Sequence, residues 1–405
     1  MANFFRERID FPTIGATAGL VIIGLISIYS ATYDARMSEL FTKQTIAAGL
    51  GLILLLVAAF TPALTLQLIS YPAYFLSLLM LVTVLLIGKQ VSGSTSWFNL
   101  GPVSFQPSEF AKVTTVLALA KYLQRGDINL RNVKHILVAS AIVLAPVLLI
   151  LKQPDTGTAM IFIGMFLPVV FWGGASNFTL VTLISPGIVA VAALFGPTPF
   201  FIAIVGLAIV IYLTRQNWIS AAAVFSMLVL VGISVQSIHD RLRPYQQKRI
   251  ATFLDPSADP QGAGYNVLQS KVAIGSGGFF GKGFLKGTQT QLNFIPAQWT
   301  DFIYTVPGEE FGLLGAVAVL ILFMVLLFRG VRIASTIKNP YGSFAAIGII
   351  GVFATHIFMN IGMALGMMPV VGVPLPFLSY GGSALLADML MVGLLLNLYA
   401  NRKEY

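Results

Sequence analysis

The segment Phe294–Phe328, FIPAQWTDFIYTVPGEEFGLLGAVAVLILFMVLLF, joins a polar stretch to a long uncharged run. The carboxylates of Asp301, Glu309 and Glu310 lie within ten residues of one another there, although the chain has only 15 acidic residues among 405. An apolar run of the length that follows is typical of a transmembrane helix. The segment therefore poses the question of why acidic residues are concentrated where the chain enters a membrane.

The composition of the whole chain is that of a membrane protein. Hydrophobic residues make up 57% of it and charged residues 10%, whereas soluble domains contain about 25% charged residues. Apolar stretches of about 18–22 residues recur along the sequence with no soluble block between them. We therefore predict an all-α polytopic membrane protein, a single membrane domain over residues 1–405 with about 10–12 transmembrane helices. The predicted helices span residues 12–32, 44–61, 70–88, 107–124, 134–152, 156–174, 178–194, 199–214, 217–236, 307–328, 341–363 and 383–400.

The distribution of Lys and Arg predicts the orientation of these helices. With the N-terminus in the cytoplasm, twelve basic residues fall on the inner side and four in the short outer loops, and such an excess marks the cytoplasmic side. We therefore predict that the protein lies in the cytoplasmic (inner) membrane. Both of its termini are then in the cytoplasm, and residues 237–306 form a large extracytoplasmic loop. Aromatic and aliphatic residues interleaved through that loop predict an ordered, partly helical cap on the membrane surface. The inner set is Arg6, Arg8, Lys121, Arg125, Arg131, Lys134, Arg215, Arg329, Arg332, Lys338, Arg402 and Lys403, and the outer set is Arg36, Lys43, Lys89 and Lys152.

Several classes of site are excluded or disfavoured. The absence of cysteine excludes disulfides and thiolate metal sites. His135, His239 and His356 lie far apart and show no ligand spacing, so we expect packed or interfacial histidines and no metal site. The net charge of +9 follows from membrane topology and does not indicate a nucleic-acid partner.

The glycine-rich piece GSGGFFGKGF does not match a nucleotide-binding loop. Ser276 stands where a P-loop requires its first glycine, and Gly283 stands where Ser or Thr follows the lysine. Two interpretations remain. Either the glycine backbone brings Lys282 and Lys286 close to a phosphate, or the piece is a surface turn.

Two further motifs place charge next to predicted helices. In FQPSEFAK, residues 105–112, Glu109 and Lys112 have the i,i+3 spacing that puts them on one helical face. Charge at bilayer depth costs about 2.5–3.5 kcal/mol, so such residues face a cavity or a partner, unless the pair snorkels to the headgroups. In KQPDTGTA, residues 152–159, Asp155 stands where a helix begins, and capping alone also explains it.

The piece MPVVGVPLPFLSYGGS, residues 368–383, is too rich in Pro and Gly for a helix and predicts a rigid outer loop or a simple structural turn. On the predicted topology, this loop, Glu109, Asp155 and the 237–306 loop all lie at the outer leaflet. That convergence predicts one polar crevice at headgroup level, which suits a substrate with a polar head and an apolar tail.

Six pieces in this order make the chain resemble the SEDS family (shape, elongation, division and sporulation), and within it the RodA branch. They are FQPSEFAK, KQPDTGTA, GAGYNVLQSKVAIGSGGFFGKGFLKGTQTQL, FIPAQWTDFI, GEEFG and PLPFLSYGGS. The resemblance implies a peptidoglycan glycosyltransferase that polymerises lipid II outside the membrane for cell-wall elongation and cell shape. It also implies a class B penicillin-binding protein as partner, together with other membrane proteins of the elongation complex.

The resemblance assigns roles to individual residues. It implies that Asp301 is the catalytic residue, and family motifs map onto Glu109, Lys112 and Asp155. We predict substrate contacts at these three residues and at Lys282, Gln289, Thr300 and Ser379. The implied reaction is a single inverting displacement that forms a β-1,4 linkage and releases undecaprenyl pyrophosphate, with Asp301 as the base. Positive charge for the pyrophosphate is expected from Lys112, Lys282 or Lys286, or from a divalent cation, and no other cofactor is expected.

The sequence also allows other interpretations. Glu309 and Glu310 follow Pro307, and we expect them mainly to favour a helix N-terminus through its macrodipole. A lipid II flippase, with Asp155 relaying protons, and a scaffold that only positions the penicillin-binding protein are the rival functions.

The chain also departs from the family pattern at several positions. Ser96 stands where Arg often precedes the Trp, and Ala297 stands where an acid is common. Residues 178–236 are long enough for three helices where one is typical of the family, which predicts an added hairpin.

Overall fold

The computed structural model describes residues 8–33, 37–91, 94–100, 103–215, 217–239, 247, 263–296 and 298–402. Arg6, Arg36, Ala297, Lys403 and the part of the predicted outer loop between 240 and 262, except Gln247, lie outside the described residues. The long helices are α1 (Phe11–Tyr33), α2 (Ser38–Phe60), α3 (Ala63–Ile87), α4 (Pro107–Leu123), α5 (Val133–Lys152), α6 (Thr156–Trp172), α7 (Asn177–Leu194), α8 (Pro197–Thr214) and α9 (Trp218–His239). They are followed by α10 (Ala263–Ser276), the short α11 (Thr288–Gln291) and α12 (Thr305–Glu310), then α13 (Gly312–Thr336), α14 (Pro340–Ala364) and α15 (Gly382–Ala400).

The twelve predicted helices correspond to α1–α9 and α13–α15. In the described part of the chain, ten of these are long and apolar enough to cross a membrane. The other two, α4 and α6, have 17 residues each. The predicted all-α polytopic membrane fold is confirmed, and α10–α12 supply the helical pieces expected in the outer loop.

A small antiparallel sheet, which we did not predict, lies between α3 and α4. Its strands are β1 (Lys89–Val91), β2 (Ser94–Leu100) and β3 (Val103–Phe105), in the order β1-β2-β3. The central strand is STSWFNL, whose Thr and aromatic residues favour an extended chain. Ser94 Oγ donates to the carbonyl of Gln153 at 2.6 Å, which joins the sheet to the end of α5.

The chain divides into two compact units. The first comprises Met1–Ile128, Leu137–Val169 and Asn266–Tyr405, and the second Asn129–Ile136 and Val170–Tyr265.

Helices in the first unit approach closely where one of them carries a glycine, as is common in membranes. At Gly393 of α15, a Cβ would lie 2.4 Å from the Leu55 carbonyl oxygen of α2. Asn397 then donates to the carbonyls of Ala58 and Thr61 at 3.0 and 2.5 Å, which satisfies the open C-terminal end of α2.

The second unit holds the three helices α7, α8 and α9 that we predicted for residues 178–236. They pack around a core that includes Val189, Ile204 and Leu228. Gly196, with φ of 112°, makes the turn between α7 and α8, a conformation that favours glycine.

The prediction of one helix over 307–328 is wrong at its start. The short α12 ends at Glu310, and α13 begins only at Gly312, whose φ is 66°. The glycine-rich loop is the physical reason: Leu313 N donates to the Gly278 carbonyl at 2.9 Å, and a Cβ on Gly312 would lie 2.4 Å from Gly281 N. Glu309 and Glu310 are therefore the last two residues of α12, and the prediction that they favour a helix N-terminus is wrong.

Candidate active site

The Pro-rich loop between α14 and α15, residues 365–381, fixes the position of the segment that carries Asp301. Ser379 Oγ accepts a hydrogen bond from Leu375 N at 2.7 Å and donates to the Thr300 carbonyl at 2.6 Å. Tyr380 N donates to the Trp299 carbonyl at 2.7 Å. Ser379 and Thr300, both predicted site residues, are thus joined directly.

Asp301 is half-buried, and both its backbone and its side chain lie against the same loop. Asn360 Nδ2 of α14 donates to the Asp301 carbonyl at 2.9 Å and to the Val373 carbonyl at 2.7 Å. A Cβ built on Gly372, whose φ is 70°, would lie 3.4 Å from Asp301 Oδ2. The carboxylate is therefore held beside a stretch of backbone that only glycine fits easily.

A chain of buried polar groups reaches the loop from α4. Lys112 Nζ lies 2.9 Å from Glu109 Oε2, and the two side chains are 0% and 3% exposed. The same ammonium group lies 2.8 Å from His356 Nε2, and His356 Nδ1 lies 3.0 Å from the Pro374 carbonyl oxygen. Since an ammonium group only donates, His356 accepts at Nε2 and donates from Nδ1. Burial this complete excludes the snorkelling interpretation of the pair.

Asp155 caps the N-terminus of α6, which is the capping interpretation that the sequence allowed. Its Oδ1 accepts from Thr158 N at 3.0 Å and its Oδ2 from Thr158 Oγ1 at 2.8 Å. Burial raises the pKa of Asp155, the Thr158 hydrogen bonds oppose that rise, and the charge of Glu109 adds to it. A Cβ on Gly157 would lie 2.7 Å from the Val371 carbonyl, so the start of α6 also touches the Pro-rich loop.

The structure adds two residues that our sequence reasoning missed. Asp388, buried in α15, accepts from Phe377 N at 3.3 Å, and Phe377 has the unusual φ of 64°. Gln44 of α2 donates to the Ser379 carbonyl at 3.2 Å and accepts from Gly381 N at 3.0 Å. Both are polar residues within apolar helices, and that rarity was the available signal.

Lys282 and Gln289 belong to a second cluster, built around the carboxylate of Glu309. Lys282 Nζ lies 2.7 Å from Glu309 Oε1, Gln289 N donates to the same oxygen at 2.9 Å, and Thr290 N and Oγ1 donate to Oε2 at 2.9 and 2.8 Å. Burial opposes ionisation of Glu309, but these hydrogen bonds outweigh it and lower its pKa. In this structure the glycine-rich loop therefore wraps around a carboxylate of its own chain.

The neighbouring carboxylate, that of Glu310, is in a different state. Its Oε1 accepts from Ser30 Oγ and from Leu285 N, the latter at 3.1 Å, whereas its Oε2 is buried without a hydrogen-bond partner among the described residues. Burial raises the pKa of Glu310, and the hydrogen bonds from Ser30 and Gln291 only partly oppose that rise. The three acids of this segment therefore differ in role. Glu309 and Glu310 anchor the glycine-rich loop to α12 and α1, whereas Asp301 lies beside the Pro-rich loop.

Among the described residues, no group of three or more His, Asp or Glu side chains is placed to hold a metal ion.

Fold and site together define a polytopic membrane protein with buried ion pairs and a half-buried carboxylate next to one end of its spans. The chain belongs to the family of cell cycle proteins that comprises FtsW, RodA and SpoVE, whose family model matches residues 13–203 and 195–404. This match, together with the relatives described next, confirms the resemblance to the SEDS family and its RodA branch.

Three relatives illustrate the similarity. The peptidoglycan glycosyltransferase MrdB of Escherichia coli K12 is 35% identical over 98% of this chain and 95% of the relative. The peptidoglycan glycosyltransferase RodA of Treponema pallidum is 33% identical over 97% of this chain and 98% of the relative. A solved structure described as "Structural coordination of polymerization and crosslinking by a peptidoglycan synthase complex" contains a chain with a TM-score of 0.74, 30% identity, and coverage of 98% of this chain and 99% of that one.

Proposed function

We propose that this protein is a peptidoglycan glycosyltransferase that polymerises lipid II into glycan strands for cell-wall elongation. The observation that carries the proposal is the placement of the Asp301 carboxylate beside the Pro-rich loop. The similarity supports it, because relatives named peptidoglycan glycosyltransferase match this chain over nearly its whole length.

In the proposed reaction, Asp301 accepts the proton of the attacking 4-hydroxyl of one sugar. That oxygen displaces undecaprenyl pyrophosphate from C1 of the other sugar, and inversion converts the α-linked donor into a β-1,4 product. A base placed within hydrogen-bond reach contributes about 10²–10⁴-fold to such a step. The exposed Lys286 is the cation that we assign to the departing pyrophosphate, because Lys112 and Lys282 are already held by Glu109 and Glu309.

The remaining predicted site residues act, in this proposal, by shaping the crevice. Glu109 and Lys112 hold the Pro-rich loop through His356. Ser379 and Thr300 hold the Asp301 segment against the same loop. Asp155, Lys282 and Gln289 line the approach for the polar head of the substrate.

We propose that the site faces outward from the cytoplasmic membrane, with both termini in the cytoplasm. The pair of Asp10, just before α1, with Arg329 supports one part of this proposal, the placement of the N-terminus on the side opposite the site. Arg329 is 17 residues beyond Gly312, or about 25 Å along α13 at about 1.5 Å per residue. The N-terminal end and the Asp301 site therefore lie at opposite ends of the spans.

The proposal includes assembly and domain organisation. A class B penicillin-binding protein is the partner that we propose, with other elongation-complex proteins around it, and both compact units serve one membrane domain.

The test is polymerisation of labelled lipid II by the purified chain with its penicillin-binding partner. Glycan ladders on a gel are expected, and they should be lost when Asp301 is changed to Asn at matched folding. Movement of lipid II across vesicle membranes without any ladder would instead establish a flippase and overturn the proposal.

A further inference from the structure

A tight turn lies near the end of the Pro-rich loop, at residues 375–379. Leu378 N and Ser379 N both donate to the Leu375 carbonyl, at 3.2 and 3.0 Å, and Leu375 N donates back to Ser379 Oγ at 2.7 Å. At the centre of the turn Phe377 has a φ of 64°, a left-handed conformation that is uncommon for a residue with a side chain. Such a conformation persists only where the surrounding structure holds it.

Three transmembrane helices meet at Phe377 and hold it. Asp388 of α15, whose side chain is buried, accepts a hydrogen bond from Phe377 N at 3.3 Å. Gly24 of α1 lies against the Phe377 carbonyl, because a Cβ on this glycine would lie only 2.4 Å from the carbonyl oxygen. The Phe377 ring packs on Phe353 of α14, with ring centroids 5.5 Å apart. The peptide N–H, the carbonyl and the ring are therefore each held by a different helix.

The turn is joined directly to the segment that carries Asp301. Ser379 Oγ donates to the Thr300 carbonyl at 2.6 Å, and the next amide, Tyr380 N, donates to the Trp299 carbonyl at 2.7 Å. Because the two acceptors immediately precede Asp301 in the chain, a displacement of the turn moves the backbone next to the carboxylate.

We infer that Asp388 is a positioning residue for Asp301. Its carboxylate fixes Phe377 in the left-handed conformation, and the fixed turn holds the Asp301 segment through Ser379. The inference rests on the proposed function, because it takes Asp301 as the base of the reaction. Such support matters for catalysis, since a misplacement of about 1 Å can cost about 10²-fold in rate. Because the donor is a single backbone N–H, position 388 requires a hydrogen-bond acceptor and not a charge.

Hydrogen exchange measures the hold on the turn independently of activity. Asp388→Ala removes the acceptor and adds no volume, whereas Asp388→Asn keeps a carbonyl oxygen that can accept from Phe377 N. In the full chain in detergent, we expect the amides of residues 375–381 to exchange about fivefold faster in Asp388→Ala, the factor that corresponds to about 1 kcal/mol for one hydrogen bond. Asp388→Asn should exchange like the natural sequence.

The chain offers a matched control for this variant and a second route to the same turn. Asn397→Ala also removes a buried polar group from α15, but its partners are carbonyls at the C-terminal end of α2, so it should lower the melting temperature without faster exchange in the turn. Gly24→Ala should disturb the turn from α1, because the new Cβ would collide with the Phe377 carbonyl. Gly15→Ala in the same helix is its control, since a Cβ there meets nothing within 4 Å.

Steady-state kinetics with labelled lipid II separate positioning from folding. At matched folding, Asp388→Ala and Gly24→Ala should lower kcat by about 10²-fold with KM unchanged, and Asp388→Asn should keep the kcat of the natural sequence. Three results would overturn the inference: unchanged exchange in Asp388→Ala, an equal loss of kcat in Asp388→Ala and Asp388→Asn, or a loss confined to KM. Absence of polymer from the natural sequence, with the exchange results as expected, would count against the proposed function alone.

Discussion

Lys112 is fully buried in α4, and its ammonium group has two partners, Glu109 and His356. Removing one partner of a buried ion pair costs about 3–5 kcal/mol, because the other charge is left without compensation. The pair therefore stabilises the fold, in addition to shaping the crevice as we propose.

The double variant of Glu109 and Lys112 is the control for the two single variants of this pair. Glu109→Gln and Lys112→Met should each lower the melting temperature in detergent and reduce glycan synthesis. The double variant should recover much of the lost stability, since no unpaired charge remains, yet it should stay poorly active because the link through His356 to the Pro-rich loop is gone. Full activity of the double variant would show that the pair contributes stability alone.

Asp301 is the residue on which the proposed chemistry depends. Asp301→Asn keeps the size and one carbonyl oxygen of the side chain but removes the proton acceptor, so we expect a loss of about 10²–10⁴-fold in polymer formed. Insertion, partner binding and lipid II binding should be retained. Glu310→Gln is the matched control, because it changes an acid of the same segment that anchors the loop. Near-normal synthesis by Asp301→Asn would place the base elsewhere.

At the scale of elements, the glycine-rich loop is held on α12 by the carboxylate of Glu309. Since its pKa is lowered from the usual 4.5, ionised Glu309 stabilises the docked loop above about pH 4.5, and that contribution is lost as the pH falls through the lowered value. The docked loop should therefore open on acidification.

Limited digestion with pepsin between about pH 5 and about pH 3 measures this opening. Cleavage within residues 277–293, divided by cleavage of the Glu309→Gln variant at the same pH, should rise steeply toward the low end. We expect the loop of that variant to be open at every pH, so the ratio removes the pH dependence of pepsin itself. Glu310→Gln should be milder than Glu309→Gln, since burial already favours the neutral form of Glu310. A constant ratio across the pH range would show that Glu309 does not hold the loop.

At the scale of the whole molecule, the orientation in the membrane is open to a direct test. The chain has no cysteine, so a single cysteine can report on each side. Leu292→Cys, at an exposed position of the loop that we propose to be extracytoplasmic, should react with an impermeant maleimide in intact spheroplasts. Ser335→Cys, exposed at the far end of α13, should react only after lysis. The reverse pattern would invert the proposed topology.

The sequence by itself determined where the membrane helices lie. All twelve predicted helices are present, because the insertion of an apolar segment depends on its own length and composition. Local spacing also determined the i,i+3 pair of Glu109 and Lys112 and the capping position of Asp155.

Only the tertiary structure decided what those charges meet. His356 follows Lys112 by 244 residues, and the Lys282 ammonium reaches Glu309 across 27 residues, contacts that no local pattern encodes. The break between α12 and α13 depends in the same way on the docked glycine-rich loop. The physical reason is that a buried charge must find a partner within hydrogen-bond reach, and helix packing alone determines which residue that is.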